Sequence, residues 1–193
     1  MTQEVEIEFK SMLTKEEYET LLRAYELENQ VRWQANDYFD TASFQLKSHG
    51  AALRIRQKKD GQVLTLKQPN EVGLLETHVN ITEEEAEDLF KYGIIHDDQM
   101  KQALAPFQLS AALEHLGRLE TNRAEHQTEE GLLVLDESHY LDTTDYELEF
   151  EVTNEESGKR SFENLLERHG LPYRPAKNKI VRFMELKMSR SEG

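Results

Sequence analysis

A chain of 193 residues, 37% of them hydrophobic, can bury one sizeable core, and with 4 Pro, 9 Gly and no low-complexity run it reads as a single domain spanning residues 1–193. The lack of cysteine excludes disulfides, thiolate nucleophiles and thiolate metal sites, so a metal would be held by oxygen or imidazole. A formal net charge of −15 argues against a nucleic-acid or anionic-membrane surface; a polyanion would have to be met inside a locally basic cavity. No apolar run approaches the roughly 18 residues of a membrane span, and the N-terminus lacks the basic and apolar regions of a signal peptide, so a soluble cytoplasmic protein is expected.

The first ten residues alternate strictly: Glu4, Glu6, Glu8 and Lys10 against Val5, Ile7 and Phe9. Alternation predicts a strand with its charges on one face, neighbouring ones roughly 7 Å apart. Three carboxylates at that spacing repel and call for a cation, although an exposed acidic edge strand has the same pattern. Thr14 to Glu17 reads as a capping box opening a helix to about Ala24, with Tyr18, Leu21 and Leu22 at helical spacing. Gln30 to Thr41 is extended, with Asp37 and Asp40 read as turn and capping residues. A helical turn follows over Thr41 to Ser48.

Ala52 to Lys58 and Val63 to Gln68 flank Asp60-Gly61, a hairpin signal that makes them antiparallel neighbours. Arg54, Arg56 and Lys67 can then converge, and guanidinium groups offer paired donors that match phosphate oxygens. Leu74 to Ile81 is a strand with Glu76, His78 and Asn80 on one face; His78, with no second His at metal spacing, is read as a hydrogen-bonded histidine. Thr82 to Glu85 is a second capping box, opening a helix to about Lys91. Ile94 to Leu113 is assigned only short helices and connections. Leu116 to Gln127 returns as a strand carrying Thr121, Arg123, Glu125 and Gln127 on one face. Leu132 to Glu137 follows it, with Asp136 near the strand end, where a turn role is usual.

After a polar connection at Asp142 to Asp145, a second acidic strand places Glu147, Glu149 and Glu151 opposite Tyr146, Leu148, Phe150 and Val152. Ser161 to His169 reads as an amphipathic helix stopped by Gly170 and Pro172. From Ala176 the tail forms a basic amphipathic helix. Acidic strands beside basic ones can hold a divalent metal and a polyanion together.

These motifs occur in an order that resembles the CYTH superfamily of triphosphate tunnel metalloenzymes. The matches are ExExK at Glu6, Glu8 and Lys10, YFDT at Tyr38 to Thr41, Arg54 and Arg56, TLK ending at Lys67, Glu76, Arg123, LxLD ending at Asp136, YELEFE at Tyr146 to Glu151, and Lys177. The resemblance covers nearly the whole chain and looks closest to small bacterial YjbK-like proteins. It implies an α+β fold: an eight-stranded antiparallel β-barrel, or tunnel, with a charged interior and helices packed outside. It also implies metal-dependent hydrolysis of an inorganic or organic triphosphate. Lys10, Arg54, Arg56, Lys67, Arg123 and Lys177 would bind phosphate, with Arg182 a further candidate. Glu4, Glu6, Glu8, Asp136, Glu147, Glu149 and Glu151 would hold Mg²⁺ or Mn²⁺. Glu6, Glu8, Lys10 and the Glu147/Glu149 pair are the leading candidates, with Glu4 and Glu151 nearer the rim. The implied partner is a small-molecule triphosphate, with no nucleic acid and no membrane, and the chain acting as a monomer or homodimer. The alternatives are a class IV type adenylate cyclase, whose base could stack on Trp33, Tyr38 or Tyr146, and a non-catalytic polyphosphate- or nucleotide-binding module.

Overall fold

The structure, a computed structural model, describes residues 2–191, so Met1 of the expected first strand lies outside the described residues. Eight strands, β1 (Thr2–Leu13), β2 (Arg32–Thr41), β3 (Ala52–Lys58), β4 (Gly61–Pro69), β5 (Leu74–Ile81), β6 (Leu113–Gln127), β7 (Leu132–Tyr140) and β8 (Thr143–Val152), close into an antiparallel barrel in the order β1-β5-β4-β3-β2-β6-β7-β8. Six α-helices are interspersed among the described residues: α1 (Lys15–Ala24), α2 (Gln45–Ser48), α3 (Glu83–Tyr92), α4 (Asp98–Leu104), α5 (Glu155–Arg168) and α6 (Lys179–Ser191). The described residues fall into two compact units, one of residues 2–5 with 34–118 and the other of residues 6–33 with 119–191.

In the first unit, Phe39, Leu53, Ile55, Leu64, Leu66 and Val79 take alternate positions on β2 to β5 and pack under Leu46 of α2, Ala86 and Leu89 of α3, and Met100 and Leu104 of α4. Removing one such buried leucine from water is worth about 1.5–3 kcal/mol, so the strands are held with their apolar faces toward the helices. Their other faces carry the charge. The β3–β4 hairpin closes through Lys59 and Asp60, with Lys58 paired to Gly61, whose φ of 141° suits glycine. Asp40 has the expected capping role: its oxygens accept from the backbone N–H of Leu46 and Lys47 at 2.9 Å each. Asp37 is not a turn residue. It sits mid-strand, buried, with His115 Nε2 at 2.9 Å and Arg118 Nη2 at 3.0 Å.

In the second unit, Ala124, Leu133, Leu135, Leu148, Phe150 and Val152 pack against Tyr18, Leu21 and Leu22 of α1 and Phe162, Leu165 and Leu166 of α5. The Thr14 and Thr82 capping boxes both form as expected. Helix α5 begins earlier than the sequence suggests because the Asn154 side chain accepts from Ser157 N and caps it. Gly158 lets α5 approach β8; a Cβ there would lie 2.4 Å from Val152 Cγ2. The expected polar connection at Asp142 to Asp145 is instead a hairpin: Tyr140 pairs with Thr143, and Leu141 and Asp142 adopt φ of 47° and 60°. Those angles fit the two-residue turn whose twist matches paired strands. Asp136 is correspondingly mid-strand, opposite Arg123 and Glu147, and not a turn residue.

Candidate functional site

Within each unit most of the expected site residues occupy the strand faces opposite those packed under α2 to α4, or under α1 and α5. In the first unit the register sets Arg54 opposite Thr65, and Lys67 opposite Glu76, which shares its face of β5 with His78. Lys67 Nζ lies 2.9 Å from Glu76 Oε1, and Arg54 Nη2 lies 3.9 Å from Oε2. Burial alone would raise Glu76, but Arg54 and Lys67 hold its carboxyl down at about 2. Arg54 and Lys67 thus meet at one carboxylate, while Arg56 Nε donates to Asn36 Oδ1 at 3.0 Å on β2. His78 is hydrogen-bonded as expected, with Nδ1 3.0 Å from Thr65 Oγ1, and its Nε2 is 3.1 Å from Glu4 Oε1. Glu4 is exposed, in keeping with a place near the rim.

In the second unit Glu8 stands directly opposite Glu151, and Lys10 opposite Glu149, across β1 and β8. Lys10 Nζ donates to Glu8 Oε1 at 2.7 Å and to Asn178 Oδ1 at 2.9 Å. Burial, then the charges of Glu6, Glu149 and Glu8, outweigh Arg123 and push the Glu151 carboxyl up to about 7. Like charges directly opposed on a sheet face destabilise it, and here Lys10 offsets only the Glu8 side of the pair. Arg123 grips Asp136 with two donors, Nε to Oδ1 at 2.8 Å and Nη2 to Oδ2 at 2.6 Å, and reaches Glu149 at 2.8 Å.

Lys177, expected to aim at the ligand, does not. It lies before α6, is 63% exposed, and donates to both oxygens of Glu185 at 2.7 and 2.9 Å. Lys179, in the first turn of α6, takes the inward position, with Nζ 2.9 Å from Asp136, 3.0 Å from Glu147 and 2.6 Å from Glu149. Arg182, one turn on, pairs with Glu147 and with Asp145, the latter at 2.9 Å. Sequence reading missed Lys179 and held Arg182 back. The available signal was their spacing of three, which puts both on one helix face.

Three carboxylates of the expected metal set, Asp136, Glu147 and Glu149, are therefore held by Arg123, Lys179 and Arg182. Burial favours protonation of Asp136 and Glu149, but Arg123 and Lys179 hold both below the usual carboxylate range. Burial and the neighbouring Glu149 push Glu147 up to about 7 against the pull of Lys179 and Arg182. Of the aromatic residues considered for ring stacking, Tyr38 is paired with Arg54 and lies on the charged face. Tyr146 lies on the helix side, its ring 5.1 Å from that of Tyr18, which removes it as a stacking partner.

The CYTH domain pattern matches residues 4–184. The chain belongs to the CYTH family. It is 48% identical over 189 residues to a Bacillus subtilis protein named "Putative triphosphatase YjbK", covering 97% of this chain and 98% of that one. A crystal structure from Bacillus halodurans, described as a "putative adenylate cyclase", is 39% identical with a TM-score of 0.90 and covers 95% of this chain and 99% of its own. A Hippeastrum protein, described as a "putative adenylyl cyclase" that reveals a dominant triphosphatase activity, is 26% identical with a TM-score of 0.78, covering 94% and 96%. The expected CYTH barrel is the fold of this chain. Among the described residues no helix is long and apolar enough to cross a membrane.

Proposed function

We propose that the protein hydrolyses a triphosphate, with residues 1–193 working as one domain. The observation that carries this reading is that Arg54, Arg56, Lys67, Lys10 and Arg123 all lie on the charged faces of their strands in a chain with a net charge of −15. A polyanion would find little attraction on such a surface, and on those faces would meet cations that a bound divalent ion could free from their carboxylates. The B. subtilis and Hippeastrum relatives support the choice of a triphosphate over other polyanions.

In this reading Arg54, Arg56 and Lys67 bind terminal phosphate oxygens, and Arg123 and Lys10 offset charge as the bond to the leaving diphosphate breaks. Lys179 and Arg182, where Lys177 was expected to bind phosphate, hold Asp136, Glu147 and Glu149 in place. Water attacks the terminal phosphorus as the bond to the diphosphate breaks, and the attacked group is released as orthophosphate, so no side chain is phosphorylated. Glu6, Glu8 and Glu151 fit a hard divalent cation, Mg²⁺ or Mn²⁺, because all their donors are carboxylate oxygens and Glu151 sits opposite Glu8 with its carboxyl pushed up to about 7. Such an ion, when bound, would supply positive charge that offsets the negative charge of the phosphates. Its identity is to be read from a metal panel, and the substrate's organic portion from a panel of inorganic triphosphate, thiamine triphosphate, ATP and longer polyphosphate.

The test is Glu8→Gln. Orthophosphate release from inorganic triphosphate with Mg²⁺ or Mn²⁺ is expected to vanish while the far-ultraviolet dichroism is kept; full activity would sink the assignment. The B. halodurans relative favours a second reading, cyclisation of ATP. Its signature would be pyrophosphate and cyclic AMP in place of orthophosphate. Binding without turnover under every metal would leave a polyphosphate- or nucleotide-binding module.

A further inference from the structure

We propose that Glu4, Glu76 and His78 form a second cation site, sharing no residue with the Glu6, Glu8 and Glu151 set, and suited to a borderline divalent ion of the Zn²⁺ or Co²⁺ type. One ligand atom from each residue lies within 4.8 Å of the other two. His78 Nε2 is 3.1 Å from Glu4 Oε1 and 3.3 Å from Glu76 Oε2. A tetrahedral ion with bonds of about 2.0 Å spaces its ligand atoms at about 3.3 Å, so the imidazole nitrogen already stands from each carboxylate at the separation such an ion needs. An imidazole nitrogen turns the site away from Mg²⁺, which prefers oxygen alone.

The supporting groups lie outside the three ligands. Glu76 and His78 are two apart on β5 and so share a face. On the neighbouring strand β1, the residue before Glu4 is tied to β5 by Gln3 Nε2 donating to Thr77 Oγ1 at 3.0 Å. The Glu76 side chain is only 6% exposed; Lys67 is on its Oε1, and Oε2 lies nearer His78, at 3.3 Å, than Arg54, at 3.9 Å. The buried Thr65 hydroxyl stands 3.0 Å from His78 Nδ1. When Nδ1–H donates to that hydroxyl, the Nε2 lone pair faces two carboxylate oxygens, an arrangement that repels until a cation stands between them. Glu4 is open to solvent, which leaves a coordination position for water and lets the ion exchange. Lys67 and Arg54 already offset the charge of Glu76 and set a limit on affinity, so micromolar binding is expected.

Chelator-treated full-length protein titrated with Co²⁺ near neutral pH tests this through the visible absorption of the bound ion, which needs no turnover and so stands or falls apart from the hydrolase reading. One Co²⁺ per chain with the strong bands of four-coordinate geometry is expected, displaced by Zn²⁺ and retained in excess Mg²⁺. His78→Ala and Glu4→Gln should each weaken binding by about tenfold or more, and Glu8→Gln should leave the bands in place. Glu4→Gln alters an exposed side chain, so the test survives a folding defect in His78→Ala. Binding by the unaltered chain weaker than about 1 mM overturns the proposal. So does a smaller loss in either of the first two variants, or disappearance of the bands in Glu8→Gln.

Discussion

Glu151→Gln removes the carboxylate that faces Glu8 across β1 and β8. In the folded chain that carboxyl is pushed up to about 7 from an ordinary value of 4.5. The folded state therefore holds this proton more tightly than the unfolded state does. The resulting stabilisation is complete below the ordinary value and is lost as pH rises through about 7. At about 1.4 kcal/mol for each pH unit, the difference is at most about 3 kcal/mol. Glu147, also pushed up to about 7, acts in the same direction, and Glu76, held at about 2, acts only at much lower pH. Comparing the variant with the unaltered chain isolates Glu151. Urea unfolding in chelator, measured from about pH 5 to about pH 8, should show Glu151→Gln gaining on the unaltered chain by about 2–3 kcal/mol across the range. Mg²⁺ at the upper end should restore the unaltered chain and do little for the variant. A difference that stays flat with pH would refute both the crowding of the carboxylates and the cation site built on it.

Lys179→Ala should cost about 3 kcal/mol or more in urea unfolding, since it strips a buried cation from Asp136, Glu147 and Glu149, whereas Lys177→Ala should stay within about 0.5 kcal/mol. Equal effects would mean α6 is docked differently. Gly158→Ala should lower stability by about 1–3 kcal/mol because the stiff Val152 side chain has no room to move; an unchanged melting temperature would count against the α5–β8 contact. Arg54→Ala should raise KM for the triphosphate by roughly tenfold to a hundredfold, the worth of one or two charge-assisted bonds, and an unchanged KM and kcat would remove Arg54 from the substrate's contacts.

The strand faces were legible because period-two alternation is a local property. Glu6, Glu8 and Lys10, the Arg54/Arg56/Lys67 hairpin and the Glu147–Glu151 ribbon all lie on the faces their spacing dictates. Partners were less legible, because strand order is set by contacts distant in sequence. Nothing local to Asp136 says that Arg123 stands opposite it, and a short apolar run ending in Asp looks like a strand running into a turn. The β7–β8 turn was missed for a related reason. Leu141-Asp142 lacks the glycine that usually marks positive φ, so the sequence points to the polar residues Asp142 to Asp145 as the connection.

The tail shows where motif reasoning and physical reasoning part. Lys177 matches a family position in sequence order, but it precedes the helix, and a side chain there is free to turn back along the helix to Glu185. Lys179 and Arg182 are three residues apart on α6, the spacing that brings two side chains onto one face. The buried Phe183 and Met184 anchor that helix. The carboxylates of β7 and β8 are costly to bury without compensating charge, and a rigid helix delivers two cations to them at fixed spacing. A lysine on the preceding loop would have to give up more conformational freedom to do the same. The position that faces the carboxylates is therefore decided by where the helix begins, and that boundary is set by packing that a motif does not encode.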